Sequence, residues 1–134
     1  IGFSHPKNSD WNHISFCLFG GPLRQLNGKV SAKSAVAIRP GKIDRSPTGT
    51  GVSARLAVLH SQGKIKKGDV FLANSIIGSS FEGKVIAEGN FGKLPYVIPE
   101  ISGQAWITGT HQYFVDPSDP WPEGYRLNDT WGIS

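Results

Sequence analysis

The sequence predicts an α/β (α+β) domain in which short strands of a mixed sheet surround one central helix, and three observations lead there. Glycine supplies 17 and proline 9 of the 134 residues, an abundance of turn formers that favours short strands over long helices. One segment, Val52–His60, carries an uninterrupted helical texture, with Gly63 placed to stop it. Its apolar residues encircle most of the helix axis, which predicts burial at the centre of the fold with strands on several sides.

The elements follow in order. Ile14, Phe16 and Leu18 alternate before the Gly20-Gly21-Pro22 break, and Val30, Ala32, Val36 and Ile38 alternate before Pro40-Gly41, so both runs read as strands. From Ser46-Pro47 a glycine-rich turn leads into the helix. Beyond it, strands are predicted near Val70–Ile76, Lys84–Glu88, Leu94–Ile98, Ala105–Thr108 and His111–Val115, with turns at Gly78, Glu82-Gly83, Gly89-Asn90 and Gly103. The tail from Asp116 to Pro122 is polar and proline-rich. No internal repeat or low-complexity tract interrupts this pattern.

Hydrophobic residues make up 38% and charged residues 18% of the chain, which excludes a disordered tail or a coiled coil. Fourteen Lys and Arg against ten Asp and Glu leave a net charge of +4, suited to a small anionic ligand. Lys64, Lys66 and Lys67 form the one local cluster, so no nucleic-acid partner is expected. No apolar run approaches the ~18 residues of a membrane helix, and the start, Ile1-Gly2-Phe3-Ser4-His5-Pro6, has no signal-peptide pattern. A soluble, cytoplasmic protein without a membrane partner is the expectation. The single cysteine excludes an internal disulfide and a four-cysteine zinc site, and the absence of methionine predicts a piece of a longer protein.

Several motifs invite a chemical reading that their context withdraws. Gly49-Thr50-Gly51-Val52-Ser53-Ala54 fits G-x-G-x-x-G/A, with Asp69 downstream, but polar residues and a proline separate it from the preceding strand and Asp69 opens a strand. Gly78-Ser79-Ser80-Phe81-Glu82-Gly83-Lys84 fits G-x-x-x-x-G-K, yet Val85 stands where a hydroxyl must hold magnesium, so a hairpin is predicted. His5, His13, His60 and His111 show no paired ligand spacing, and no metal site is expected. Cys17, between Phe16 and Leu18, reads as a buried, inert thiol and not as a nucleophile.

Asp44-Arg45-Ser46-Pro47-Thr48-Gly49-Thr50-Gly51, entering the helix, admits two readings. A helix start leaves N–H groups unpaired and carries partial positive charge, and glycines let a ligand approach closely, so a carboxylate would fit. Alternatively Ser46 or Thr50 caps the helix, Pro47 fixes its first turn, and the glycines serve packing. Residue chemistry alone weighs the two equally.

Asp44 to Ala54, Asp-Arg-Ser-Pro-Thr-Gly-Thr-Gly-Val-Ser-Ala, resembles the signature of the proline racemase family, D-R-S-P-C-G-T-G-T-S-A. Gly78 to Val85 is similar to the family's hairpin after the helix, and Ile101 to Gly109 followed by Asp116 to Tyr125 is similar to its C-terminal signature. The resemblance runs through the whole chain and corresponds only to the last part of a family member. The family's other motif, Met-Cys-Gly-His, precedes that part. The resemblance implies a diaminopimelate epimerase-like half, a mixed sheet curled around a central helix, as part of a two-domain enzyme with the substrate between two helix starts. It places residues 1–110 in the second half-domain and sends residues 111–134 back to the N-terminal half.

Family racemases use two cysteines, one on each face of the substrate. Here the second is Thr48. A thiol with a pKa near ~8.5 can serve as a base, whereas an aliphatic hydroxyl cannot near neutral pH. The family branch with threonine here comprises the trans-3-hydroxy-L-proline dehydratases. The resemblance therefore implies removal of the Cα proton by one thiolate from the N-terminal portion, loss of the 3-hydroxyl, and formation of Δ1-pyrroline-2-carboxylate, with no metal or organic cofactor. In that scheme Gly49, Thr50 and Gly51 bind the substrate carboxylate through backbone N–H groups, Asp44 accepts from the ring ammonium, and the Thr48 hydroxyl lies near the leaving hydroxyl. Proline racemase or 4-hydroxyproline epimerase activity is the alternative, and an inactive amino-acid-binding relative a second. The implied partners are a proline-like substrate and the N-terminal portion of the same protein. A homodimer is compatible with them.

Overall fold

A computed structural model describes residues 2, 4–5 and 7–125. The chain divides into two compact units, Ile1–Gln104 and Ala105–Ser134. The first contains strands β1 (Phe16–Gly20), β2 (Arg24–Leu26), β3 (Lys29–Ile38) and β4 (Lys42–Ile43), helix α1 (Gly49–Ser61), and strands β5 (Val70–Asn74), β6 (Ser80–Phe91) and β7 (Leu94–Gly103). These strands form one sheet of order β1-β3-β5-β6-β7, with β2 and β4 paired to β3. It is mixed, as the sequence predicts: β3 and β5 run parallel, with α1 in their crossover, and the other pairs are antiparallel.

The core explains the placement of α1. Val52, Leu56 and Leu59, on one helical stripe, are buried with Ile65 against Ala32, Phe71, Ala73 and Val85. Val97 and Ile101 close the cluster from β7. A register shift between Val85 and Ala87 bends β6 over the helix, so the sheet curls around this face. All-round burial does not hold within the described residues. Thr50, Ala54, Val58 and Ser61 form an exposed stripe, Val58 at 46% exposure, because no strand of this unit reaches that side.

Local chemistry sets the boundaries. Gly63, at φ 67°, ends α1: its N–H donates to the His60 carbonyl and that of Lys64 to the Leu59 carbonyl, both at 2.9 Å. The helix starts three residues before Val52, absorbing the glycines into its first turn. Asn27 and Gly28, at φ 50° and 75°, make the two-residue turn joining β2 to β3, an Asn-Gly signal that the strand reading passes over.

Three expectations about glycines and cysteine are corrected. Glu82-Gly83 and Gly89-Asn90 lie inside β6 and are not turns. A Cβ on Gly83 would sit 2.8 Å from Leu56 Cδ1 and from Val52 Cγ1, so this glycine lets the helix approach the strand; the chain reverses instead at Gly92-Lys93. Cys17 is exposed. It lies on β1, an outermost strand in which Leu18 alone is even half-buried, so nothing covers its outer side among the described residues.

In the second unit, the strands expected at Ala105–Thr108 and His111–Val115 do not form, because no neighbouring strand pairs with their backbone among the described residues. The segment instead holds local turns. The Ser118 N–H and hydroxyl donate to Asp116 Oδ1, the Trp121 N–H donates to Asp119 Oδ1, and Trp121 meets Tyr125 edge to face. Both rings are exposed, and Trp131 lies outside the described residues. Among the described residues no helix is long and apolar enough to cross a membrane.

Candidate active site

The segment between β4 and α1 is organised around Asp44. Its backbone N–H donates to the Val36 carbonyl at 2.9 Å, which ties the segment to β3. One carboxylate oxygen, Oδ1, accepts the Ser46 N–H at 2.9 Å, and the other, Oδ2, accepts the Thr48 hydroxyl at 2.5 Å. The Ser46 hydroxyl oxygen accepts the Thr48 N–H at 3.1 Å, and Pro47 is buried beneath the turn. The Thr48 hydroxyl, followed by the Ser46 backbone N–H, holds the Asp44 carboxyl below the usual carboxylate range. Asp44 is therefore an anion at neutral pH.

Thr48 pays for this arrangement in its backbone, with φ at 62° and ψ at 111°. A β-branched residue at positive φ costs about 1–3 kcal/mol and persists only where surrounding contacts over-determine it. Here the two hydrogen bonds to Asp44 and Ser46 do so.

Because the Thr48 hydroxyl turns toward Asp44, it does not cap α1, and neither Ser46 nor Thr50 takes its place. The first helical bond runs from the Val52 N–H to the Thr48 carbonyl at 2.8 Å. The N–H groups of Gly49, Thr50 and Gly51 have no partner among the described residues. A Cβ on Gly49 would meet nothing within 4 Å, so the space beside this residue is open. Gly51 differs, since a Cβ there would press on Leu18 and Val36 at 3.1 Å. The capping reading thus fails at this helix start, and the two glycines divide the two roles considered for them: one open to a ligand, one fitted to packing.

The five residues singled out in the sequence, Asp44, Thr48, Gly49, Thr50 and Gly51, come together at one helix start. An anionic acceptor stands beside three unpaired donors at the positive end of a helix. That arrangement is complementary to a zwitterion, whose carboxylate would meet the N–H groups and whose ammonium would meet Asp44. The Thr48 oxygen, its proton directed to Asp44, keeps lone pairs for a further donor.

The sequence reading missed the support behind this segment. Ser75, wholly buried after β5, shares a 2.8 Å hydrogen bond between its hydroxyl and that of Ser79, and the Ser79 hydroxyl donates to the Arg45 carbonyl at 3.3 Å. The β5–β6 turn, at Gly78 with φ 85°, is thereby fastened to the site segment. The Ser-x-x-Gly-Ser spelling of that turn was the available signal. Among the histidines, His60 Nε2 lies 2.6 Å from a Glu88 carboxylate oxygen, linking the helix end to β6. No group of three or more potential metal ligands occurs among the described residues.

The solved structures similar to the chain include the following two. A hydroxyproline epimerase from Agrobacterium vitis, solved with bound trans-4-hydroxy-L-proline, matches 98% of the chain at 37% identity and a TM-score of 0.71. A probable proline racemase from Agrobacterium radiobacter K84, solved with bound carbonate, matches 99% at 38% identity and the same TM-score. The chain spans 37% and 38% of the length of those two proteins. Residues 1–126 match the proline racemase family, which agrees with the curled sheet and with the Asp44–Ala54 segment. The chain belongs to the proline racemase family.

Proposed function

We propose that the protein containing this chain dehydrates trans-3-hydroxy-L-proline to Δ1-pyrroline-2-carboxylate. The observation that carries the reading is Thr48 at the helix start, its hydroxyl engaged by Asp44. In a two-base racemisation this residue would exchange a proton with the substrate Cα, and an aliphatic hydroxyl next to a carboxylate anion is no base near neutral pH. One-base chemistry is left. A thiolate outside these 134 residues takes the Cα proton, and the electron pair released at Cα expels the 3-hydroxyl, so that one water is lost in all. The enamine then tautomerises to the cyclic imine.

On this side of the substrate the N–H groups of Gly49, Thr50 and Gly51 hold the carboxylate and stabilise the negative charge that grows on it as the Cα proton departs. Asp44 accepts from the ring ammonium, and Thr48 orients the departing hydroxyl or an intervening water. The scheme uses no metal or organic cofactor. It also requires the rest of the protein: the segment from His111 to Tyr125 crosses back to the N-terminal portion, where the exposed Trp121 and Tyr125 find cover, and residues 1–134 alone are inactive.

A second reading, hydroxyproline epimerase or proline racemase activity, is favoured by the two similar structures, one of which holds trans-4-hydroxy-L-proline. The experiment that separates the readings incubates the full-length protein with trans-3-hydroxy-L-proline, trans-4-hydroxy-L-proline and L-proline. Products are resolved by chirality and by imine formation. Imine from the 3-hydroxy substrate with no D-proline supports dehydration, whereas D-proline or an epimerised 4-hydroxyproline at a comparable rate rejects it.

A further inference from the structure

A concavity of about 630 Å³ lies along β2 and the first half of β3, away from the helix start. Its size is that of a small-molecule site, roughly 300–1,000 Å³. Strand register explains what lines it. Arg24 of β2 is opposite Ser31 of β3, and Lys33 is opposite Asn74 of β5. Ala32 and Ala73, one residue out of phase, belong to the core, so Arg24, Ser31, Lys33 and Asn74 share the sheet face turned away from α1.

The charges around the concavity are one-sided. Arg24 and Lys33 line it, and neither forms an ion pair among the described residues. The neighbouring Lys29 differs, since its ammonium is paired with Glu82. No Asp or Glu lines the concavity, so two cations face it without compensation. Pro22 and Leu26 add an apolar wall.

Its floor is preformed. Ser31 is 6% exposed, and its hydroxyl oxygen accepts from Asn74 Nδ2 at 3.0 Å. Asn74 is held in turn by the Ser80 hydroxyl, which donates to Oδ1 at 2.8 Å. The chain Ser80–Asn74–Ser31 fixes the amide, and it leaves the Ser31 proton without an acceptor among the described residues. A buried hydroxyl with a donor to spare, flanked by a guanidinium and an ammonium, suits an oxyanion carrying two charges.

We propose that this concavity is a second ligand site, separate from the helix start, and that it binds a phosphate monoester with a compact apolar body. Arg24 and Lys33 clamp the phosphate, Ser31 donates to it, and Pro22 and Leu26 cover the organic part. The site stands whether or not the dehydratase reading holds, since it uses none of the same residues.

The test is isothermal titration of the full-length protein with phenyl phosphate, inorganic phosphate and benzoate. Phenyl phosphate should bind tightest, followed by inorganic phosphate and then benzoate. Arg24→Gln and Lys33→Gln should each weaken phenyl phosphate about tenfold or more, and Gly49→Ala, at the other anion site, should leave it unchanged. Hydrogen exchange on the wild-type protein is the check that needs no variant: phenyl phosphate should slow exchange across residues 24–33. Undetectable binding, equal affinity for benzoate, loss on Gly49→Ala, or no protection of residues 24–33 would each overturn the proposal.

Discussion

The Thr48 hydroxyl donates to the Asp44 carboxylate at 2.5 Å, across the four residues that lead into α1. This bond does three things at once. It depresses the Asp44 pKa, holds Thr48 at a positive φ, and turns the hydroxyl of the N-cap residue away from the first helical turn. The unpaired N–H groups of the helix start follow from that choice.

If Asp44 accepts from the ring ammonium as proposed, Asp44→Asn should lose most turnover, because a neutral amide cannot balance that charge. It should also destabilise the fold, since one of two acceptor oxygens becomes an NH2 facing a donor, at about 1–3 kcal/mol for a group left unpaired. The pH dependence distinguishes the variant. A carboxylate whose folded pKa is depressed contributes stability that is fully present above its unfolded value, ~3.9, and is lost as pH falls through the folded value. Urea unfolding should therefore show the largest gap between wild type and variant near neutral pH and a shrinking gap in acid; a gap independent of pH would contradict the ionic role.

Thr48→Cys restores a thiol at the helix start. With the proposed substrate pose, full-length protein carrying this change should exchange the Cα hydrogen of L-proline for deuterium through its second face and release some D-proline. Proton NMR in deuterium oxide and chiral chromatography read the two outcomes. Complete absence of exchange would show that the residue does not face Cα.

Gly49→Ala separates ligand binding from folding. Its Cβ would meet nothing within 4 Å of this chain, and alanine is favoured over glycine in a helix by about 0.5–1 kcal/mol, so the melting temperature should hold or rise. The methyl would nevertheless occupy the approach to the carboxylate site. A raised KM for the imino acid at unchanged melting temperature is expected, and an unchanged KM would remove Gly49 from the binding site.

Gly83→Ala tests the close contact of α1 with β6. The atoms its Cβ would strike, Leu56 Cδ1 and Val52 Cγ1, belong to side chains that are fully buried and cannot swing aside. Destabilisation of about 1–3 kcal/mol by overpacking is expected in thermal or urea unfolding, against none for the same change at Gly49, where a Cβ meets nothing within 4 Å.

The sequence by itself determined whatever neighbours along the chain decide. The helix end is legible because the turn at Gly63 satisfies the last carbonyls, the Gly63 N–H donating to His60 and the Lys64 N–H to Leu59, all within about one turn. The site segment is legible for the same reason: Asp44, Ser46, Thr48 and the glycines bond to one another over a few residues, and their spelling resembles a known signature. Tertiary structure decided the rest. Gly83 and Gly89 look like turn residues, yet lie within a long strand, since a glycine that makes room for a neighbouring side chain and a glycine in a turn are spelled alike. The exposure of Cys17 depends on which strands flank β1, and the apolar runs after Ala105 stay unpaired because a strand needs a neighbour that its own residues cannot supply. The hydrogen bond from Ser79 to Arg45, spanning 34 residues, fastens the site only after β3, α1 and β5 have packed together. Backbone hydrogen bonding is local in helices and turns and therefore readable, whereas burial and strand pairing are properties of the assembled chain.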